Sequence, residues 1–169
     1  MIAQQPGEKL FQKNLAVLRE SDPDLAARIA STLPSPIIHW FHSDTLAPTL
    51  ELTCSEKIVL YHSRHDPRRE AQRQVEALQI DSPAVFIFLG TGLGYTIEHL
   101  LENYSRYITA LLLVEHDPGV FYYFLHRRDW SGLLANPRTR VVIPETQGDL
   151  TAAALAFLPH IMGSGVRLV

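Results

Sequence analysis

The stretch 84–95, AVFIFLGTGLGY, decides the fold of this chain. Its first six residues are continuously apolar, as in a strand that is buried on both faces of a parallel sheet. Gly90, Gly92 and Gly94 follow directly and predict a tight turn into a helix. The stretch 111–115, LLLVE, predicts a second buried strand after that helix. The order of strand, glycine loop, helix and strand is that of a Rossmann-type unit.

The same alternation continues towards the end of the chain. The sequence predicts helices over 91–103, 118–127 and 150–158, with strands over 139–143 and from Val166 to Val169. Alternating strands and helices predict a parallel sheet with right-handed crossovers. Dinucleotide-binding and methyltransferase sheets usually have about six or seven strands. We therefore expect a truncated Rossmann-like sheet that is part of a longer protein.

The first 62 residues have a different pattern. Two amphipathic helices come first, the second opened by the Asp22-Pro23 pair, because Asp is a good N-cap and Pro suits the first turn. Three β-prone runs then predict a small β-meander. The predicted ranges are 8–20 and 23–31 for the helices, and 37–41, 49–54 and 57–61 for the strands. The prediction is an α/β chain with a helical hairpin and β-meander in 1–62 and a Rossmann-like domain in 63–169.

Composition limits the classes of partner and compartment. The chain has 169 residues, a net charge of −3 and one cysteine, Cys54, which excludes an intrachain disulfide framework and a zinc cluster. The charge gives no reason to expect nucleic acid or an anionic membrane as a partner. No apolar run in the sequence is long enough to span a bilayer, and the first residues lack a signal peptide. We expect a cytoplasmic protein.

The glycine loop is the strongest candidate for a ligand site. Gly90 would let the chain leave its strand, Gly92 would leave room for a ribose, and Gly94 would let the helix approach the sheet. The helix N-terminus would offer free N–H groups. Glu115, at the end of the second strand, stands where Rossmann folds place an acid that binds ribose hydroxyls. The predicted ligand is a nucleotide or a molecule like S-adenosylmethionine.

The spacing of the loop departs from that of NAD-binding proteins. It reads G-x-G-x-G, and Tyr95 stands where the NAD pattern needs a small residue, which favours the loop of S-adenosylmethionine methyltransferases. Thr91 and Tyr95 complete the set of candidate loop residues. The alternative is that the glycines only shape a tight turn, with Glu115 solvated at a strand end.

Basic residues surround the predicted helix over 67–79. Arginines beside free helix N–H groups could bind phosphate or carboxylate, and Arg68 and Arg69 are the candidate residues for such a site. The other basic residues of this cluster are Arg64, His65 and Arg73. The alternative is an exposed helix face on which acidic neighbours balance the charge.

Other chemistry has little support in the sequence. His39 and His42 are three residues apart, and so are His62 and His65. On a strand, this spacing places the two side chains on opposite faces, where they cannot bind the same metal ion, so no metal site is predicted. The segment 62–66 brings Ser, His and Asp together, but there is no G-x-S-x-G elbow of a hydrolase. No catalytic residue is assigned.

Four segments together resemble one known family. They are NLAVLRESDPDLAARI (14–29), LYHSRHDPRREAQRQVEAL (60–78), FIFLGTGLGYTIEHLL (86–101) and LLLVEHDPGVFYYFLHRRDWSGLL (111–134). The combination is similar to the N-terminal part of motility accessory factor (Maf) proteins, which are bacterial flagellin glycosyltransferases. The resemblance extends over roughly residues 10–145. Their central domain is related to a family that includes an archaeal hydroxymethylpterin diphosphokinase.

The resemblance implies transfer of a nonulosonic acid from a CMP-sugar to Ser or Thr of flagellin. The donor site would belong to a central domain at or beyond the end of this chain, so this part alone should be inactive. The expected partners are the remainder of a longer chain and flagellin. Two alternatives stay open: a methyltransferase-like domain that uses S-adenosylmethionine, and an interaction scaffold without a ligand.

Overall fold

A computed structural model describes residues 7–32, 35–54 and 57–169. The chain begins with two packed helices, α1 (Glu8–Ser21) and α2 (Pro23–Ser31). Asp22 separates them, and its carboxylate accepts a hydrogen bond from the Leu25 amide at 3.0 Å. Pro23 occupies the first turn of α2. The predicted helical hairpin is confirmed, because the cap and the proline start α2 immediately after α1 ends.

Three short strands form the predicted meander. They are β1 (Ile38–His42), β2 (Pro48–Cys54) and β3 (Lys57–Leu60), paired antiparallel in the order β1-β2-β3. Trp40 lies opposite Leu50, and Leu52 lies opposite Val59. The apolar side of this sheet packs over the glycine loop through Leu50, which is fully buried. The Cys54 side chain, expected to pack as a small apolar group, lies outside the described residues.

The second half of the chain forms a four-stranded parallel sheet. Its elements, in chain order, are α3 (Pro67–Ala77), β4 (Ala84–Leu89), α4 (Tyr95–Tyr104), a 3₁₀ turn (Ser105–Tyr107), β5 (Ile108–Val114), α5 (Pro118–Arg127), α6 (Ser131–Leu134), β6 (Thr139–Val142), α7 (Gln147–Ile161) and β7 (Gly165–Leu168). The predicted parallel pairing of the two central strands is confirmed, with Phe88 opposite Leu113.

The strand order is β6-β5-β4-β7. From β4 the chain therefore proceeds towards one edge through β5 and β6, and then crosses back to place β7 on the other side of β4. Right-handed crossovers put the helices of the two directions on opposite faces of the sheet. The point between β4 and β7 is a topological switch point, where open α/β sheets usually bind ligands.

Helices α4 and α7 differ most from their predicted ranges. Helix α4 begins at Tyr95 and not at 91, because Gly90, Gly92 and Gly94 have φ angles of 99°, 49° and 81° that no helix contains. Helix α7 is longer than the predicted 150–158. Its start is fixed earlier by a capping box, in which the Thr146 and Asp149 side chains each accept a hydrogen bond from the other residue's backbone.

Each face of the parallel sheet has its own cover. Phe86 and Leu113 point towards α1, α2, α4 and α5, whereas Val85 and Leu112 point towards α7. Phe11 of α1 belongs to the same buried cluster as Phe86. The apolar core is thus continuous across the predicted division at 62/63, and that division stays a prediction.

The buried face of α1 agrees with the predicted one at Phe11 and Leu18 and differs from it elsewhere. The sequence pattern indicated 10, 11, 16, 17 and 18, but the residues buried in the structure are Phe11, Asn14, Leu15 and Leu18. Asn14 is fully buried, and its amide group donates to the carbonyls of Leu125 and Arg128 at 2.8 and 2.7 Å. Its side-chain oxygen accepts the Trp130 amide at 2.7 Å. Every polar atom of the Asn14 side chain therefore has a hydrogen-bond partner. This is why an amide side chain is tolerated at a core position that an apolar residue would usually occupy.

Candidate functional site

The glycine loop lies at the carboxyl end of β4, next to the switch point. The Gly90 amide donates to the Val114 carbonyl at 2.7 Å, which ties the start of the loop to β5. The Gly94 amide donates to the Thr91 carbonyl at 2.8 Å and closes the turn. These two bonds fix the loop as a tight connection between strand and helix.

Glu115 holds the loop from the end of β5. Its side chain is buried, and one carboxylate oxygen accepts from the Thr91 amide at 2.8 Å and from the Thr91 hydroxyl at 3.0 Å. The other oxygen accepts from the Asp117 amide at 3.1 Å. Both oxygens are therefore engaged inside the protein. The ribose-binding role of Glu115 stays a prediction, and the structure supplies an internal role for the same carboxylate.

His62 is a loop partner that the sequence pattern did not reveal. Its Nε2 accepts from the Leu93 amide at 2.7 Å. A Cβ atom on Gly92 would lie 2.6 Å from the same nitrogen, so the absence of a side chain at Gly92 makes room for the imidazole. The sequence predicts a ribose in that space, and in the structure the His62 imidazole occupies it. Burial, with a smaller contribution from the Arg127 charge, lowers the pKa of His62 to about 4.

Arg127 supports the loop from α5. Its guanidinium lies 4.2 Å from the centre of the Tyr95 ring and donates a hydrogen bond to the Leu93 carbonyl. Its Nη2 lies 2.6 Å from an Oε atom of Glu98. The Tyr95 ring is buried, and its hydroxyl donates to the Pro48 carbonyl at 2.7 Å. Tyr95 therefore links the loop to the meander, which explains a large residue at this position.

Gly94 allows close packing, but against α5 rather than against the sheet. A Cβ atom there would lie 2.6 Å from Cε2 of Phe124 and 2.7 Å from Cζ2 of Trp130. These two rings are stacked, with their centres 4.5 Å apart. The positive φ of Gly94 and the nearby rings both favour glycine.

The predicted basic site is not gathered at the loop. Arg68 and Arg69 are exposed on α3, and their backbone amides both donate to the Asp66 carboxylate at 3.0 Å. Arg64 instead lies 3.5 Å from a carboxylate oxygen of Glu51. Anion binding by Arg68 and Arg69 stays a prediction, and Asp66 already occupies two of the helix N–H groups on which it relied.

A cavity of about 510 Å³ opens beside the loop at the switch point. Gly90 borders it and faces open space, since nothing lies within 4 Å of the position that a Cβ would take. Its polar wall contains Gln74 and Thr96, joined by a 2.7 Å hydrogen bond. The other described residues of the lining are Tyr61, His62, Leu78, Phe88, Leu89, Thr91, Gly92, Ile97 and Val169. Of the predicted site residues, Gly90, Thr91 and Gly92 line this cavity.

Within 7–32, 35–54 and 57–169, no group of three or more His, Cys, Asp or Glu side chains is placed to bind a metal ion. In the same part of the chain, no helix has both the length and the apolar content needed to cross a membrane.

Comparison with known proteins identifies related chains. The profile of the family described as "Glycosyltransferase Maf N-terminal domain" matches residues 47–141. An uncharacterized protein of Treponema pallidum (strain Nichols) is 28% identical in an alignment 171 residues long, which covers 91% of this chain and 57% of that protein. The solved structure of a Maf glycosyltransferase from Magnetospirillum magneticum AMB-1 matches 96% of this chain with a TM-score of 0.72 and 18% identity. This chain covers 32% of that solved chain.

Proposed function

Because this chain belongs to the glycosyltransferase Maf N-terminal domain family, we propose that it is the N-terminal domain of a protein glycosyltransferase. The reaction is transfer of a nonulosonic acid from a CMP-sugar to Ser or Thr of flagellin. The observation that carries this proposal is the family match, which includes β2 and β3 of the meander, the glycine loop, β4, β5 and most of β6. The chain spans about half of the curated relative and a third of the solved protein.

Within that enzyme the domain acts as a support for catalysis that takes place elsewhere. Glu115, His62 and Arg127 each direct at least one polar atom to the glycine loop itself. Groups that are fixed in this way stabilise a rigid loop, and they are not available to transfer protons to a sugar donor. Glycosyl transfer also needs a site that can hold donor and acceptor together. We therefore assign the chemistry to the remainder of the longer protein.

Transfer can be tested with the full-length gene product and with the 169-residue chain. Each is incubated with flagellin and a CMP-nonulosonic acid, and flagellin is then analysed by intact-mass and peptide mass spectrometry. We expect sugar on Ser or Thr with the full-length protein and none with the 169-residue chain. Modified flagellin after incubation with the 169-residue chain would contradict the supporting role. Two such donors are CMP-pseudaminic acid and CMP-legionaminic acid. A full-length protein that transfers sugar from neither of them would contradict the proposed glycosyltransferase activity.

The cavity supports a second function, the binding of a nucleoside. It lies at the switch point, and the exposed backbone of Gly90 lets a ligand approach closely. Phe88, Leu89 and Ile97 offer an apolar wall for a base, while Gln74 and Thr96 offer polar groups. No Lys or Arg is among the described residues of the lining. The cavity therefore suits the uncharged base and ribose better than a phosphate.

Calorimetry tests this second function directly. The compounds are CMP, S-adenosylmethionine, S-adenosylhomocysteine and NAD. We expect Gln74→Ala to weaken binding about fivefold to tenfold, because one hydrogen bond contributes on the order of 1 kcal/mol. Gln72→Ala is the matched control, since Gln72 is on the same helix but bonds to Glu76 instead. Binding of CMP favours a nucleotide role in the glycosyltransferase, and binding of the adenosyl compounds favours a methyltransferase-like domain. No binding at millimolar concentration would contradict the proposal.

A further inference from the structure

Helix α7 has apolar residues on two sides. Ala153 and Phe157 are buried against the sheet. On the other side, Leu155, Leu158 and Met162 are 60%, 45% and 87% exposed. These three residues are spaced three and four positions apart, so they form one continuous stripe on the helix surface. A helix that is apolar all round is typical of one that is covered on both sides.

Strand β7 extends this apolar surface. Val166 lies in register with Val85, and Leu168 with Ile87. Neighbouring residues in register point to the same face of a sheet, and Val85 faces α7. Val166 and Leu168 are nevertheless 43% and 62% exposed. We call the stripe on α7, together with these two residues, the α7–β7 face.

The backbone of β7 is also open along one edge. The Val169 amide donates to the Ile87 carbonyl at 2.9 Å, so the backbone of Val169 points towards β4. Successive residues of a strand direct their N–H and C=O groups to opposite sides. The backbone groups of Val166 and Leu168 therefore point away from β4. No described strand pairs with this edge of β7.

We propose that a segment of the same polypeptide that follows Val169 covers the α7–β7 face. A further parallel strand pairs with the open edge of β7, and the helix that connects the two packs beside α7. The right-handed crossovers of the sheet support this position for the following segment. Helix α7 connects β6 to β7 and lies on the face of Val85. A right-handed connection that continues in the same direction puts its helix on that same face, where Val166 and Leu168 are exposed.

The lengths of the related proteins provide the chain that this segment needs. The Treponema pallidum relative and the Magnetospirillum magneticum protein are both longer than the part that this chain matches. A second copy of this chain fits the α7–β7 face less well than a following segment. A two-fold symmetric dimer would pair two β7 strands antiparallel, whereas all four described strands of this sheet are parallel. The proposal is independent of glycosyl transfer.

Hydrogen exchange of the full-length gene product tests this proposal. We expect the amides of Val166 and Leu168 to exchange at least 100-fold more slowly than in an unstructured chain, in a protein that sediments as a monomer. Leu158→Asp should reduce this protection at least tenfold. Ile58→Asp is the matched control, since Ile58 is similarly exposed, at 59%, but lies on β3. It should leave the protection unchanged.

Three outcomes would overturn the inference. The first is unprotected exchange of both amides in the folded full-length protein. The second is protection that disappears on dilution together with a dimer, which would identify a second copy as the occupant. The third is a reading frame that stops after Val169. A protein that is inactive as a glycosyltransferase but shows the expected protection would contradict only the proposed function.

Discussion

Gly94→Ala is expected to reduce the free energy of unfolding by about 4 kcal/mol, from two effects that act together. The residue has a φ of 81°, where a side chain costs about 1–2 kcal/mol. The added Cβ would also lie 2.6 Å from a carbon of Phe124 and 2.7 Å from one of Trp130. These rings are buried and stacked on each other, so they cannot yield without moving their neighbours, and such overpacking costs about 1–3 kcal/mol.

Gly90→Ala separates the two effects. Gly90 has a φ of 99°, but nothing lies within 4 Å of the position that its Cβ would take. The backbone cost therefore remains without the overpacking, and we expect a loss of about 1–2 kcal/mol. Urea unfolding of the wild type and both variants, followed by tryptophan fluorescence and circular dichroism, gives the comparison. Equal losses for the two variants would show that the rings adjust freely, and would contradict the packing argument.

The sequence predicted the elements whose signals are local. Asp22-Pro23, Asp66-Pro67 and Asp117-Pro118 each place a capping carboxylate and a proline at a helix start, and all three helices begin there. The apolar runs of β4 and β5 predicted buried parallel strands for a similar reason. Each run is continuously apolar, as in a strand that is covered on both faces of a sheet. The short crossover between the two runs favours the pairing of β4 with β5.

The partners of the glycine loop could not be predicted in the same way. His62 and Leu93 are 31 residues apart, and their hydrogen bond depends on how the meander packs over the loop. The space that a glycine leaves at position 92 could receive a ribose or an imidazole, because a missing side chain does not specify which group fills it. Glu115 is similar. Its position at the end of β5 was predicted, but its hydrogen bonds to Thr91 depend on the three-dimensional path of the loop.

The exposed apolar face of β7 also could not be predicted from the sequence. The apolar composition of 150–158 predicted a helix, but it gave no indication of which apolar side chains would be buried against the sheet. Only the register of β7 with β4 places Val166 and Leu168 on the same face as α7. The place of the covering segment therefore follows from the topology of the sheet, and composition alone could not predict it.

The stability of the protein is expected to fall by about 3 kcal/mol as the pH decreases from 6.5 towards 4, through His62 alone. Burial lowers the pKa of His62 from 6.5 to about 4 in the folded protein. The unfolded chain therefore binds a proton in this range of pH while the folded chain does not. The stabilisation is complete above pH 6.5, and it is lost as the pH falls towards the folded pKa.

The hydrogen bonds of His62 give the physical reason for this dependence. Nε2 accepts the Leu93 amide at 2.7 Å, and a protonated Nε2 could no longer accept. Nδ1 lies 4.0 Å from a carboxylate oxygen of Glu70, too far for a hydrogen bond that would compensate for the buried charge. Protonation would therefore release Leu93 and loosen the glycine loop.

His62→Gln is the variant that isolates this effect. The glutamine side chain keeps an oxygen that can accept the Leu93 amide, but it does not titrate between pH 4 and 7. We expect urea unfolding of the wild type to show the extra loss of about 3 kcal/mol relative to this variant over that range. The exposed carboxylates Asp129 and Asp149, whose pKa values are lowered by their hydrogen bonds, lose most of their contributions below their ordinary pKa of 3.8, and this loss is the same in both proteins. Parallel stability curves for the wild type and His62→Gln between pH 6.5 and 4 would show that His62 is protonated in the folded protein, and that the loop does not depend on its neutral form.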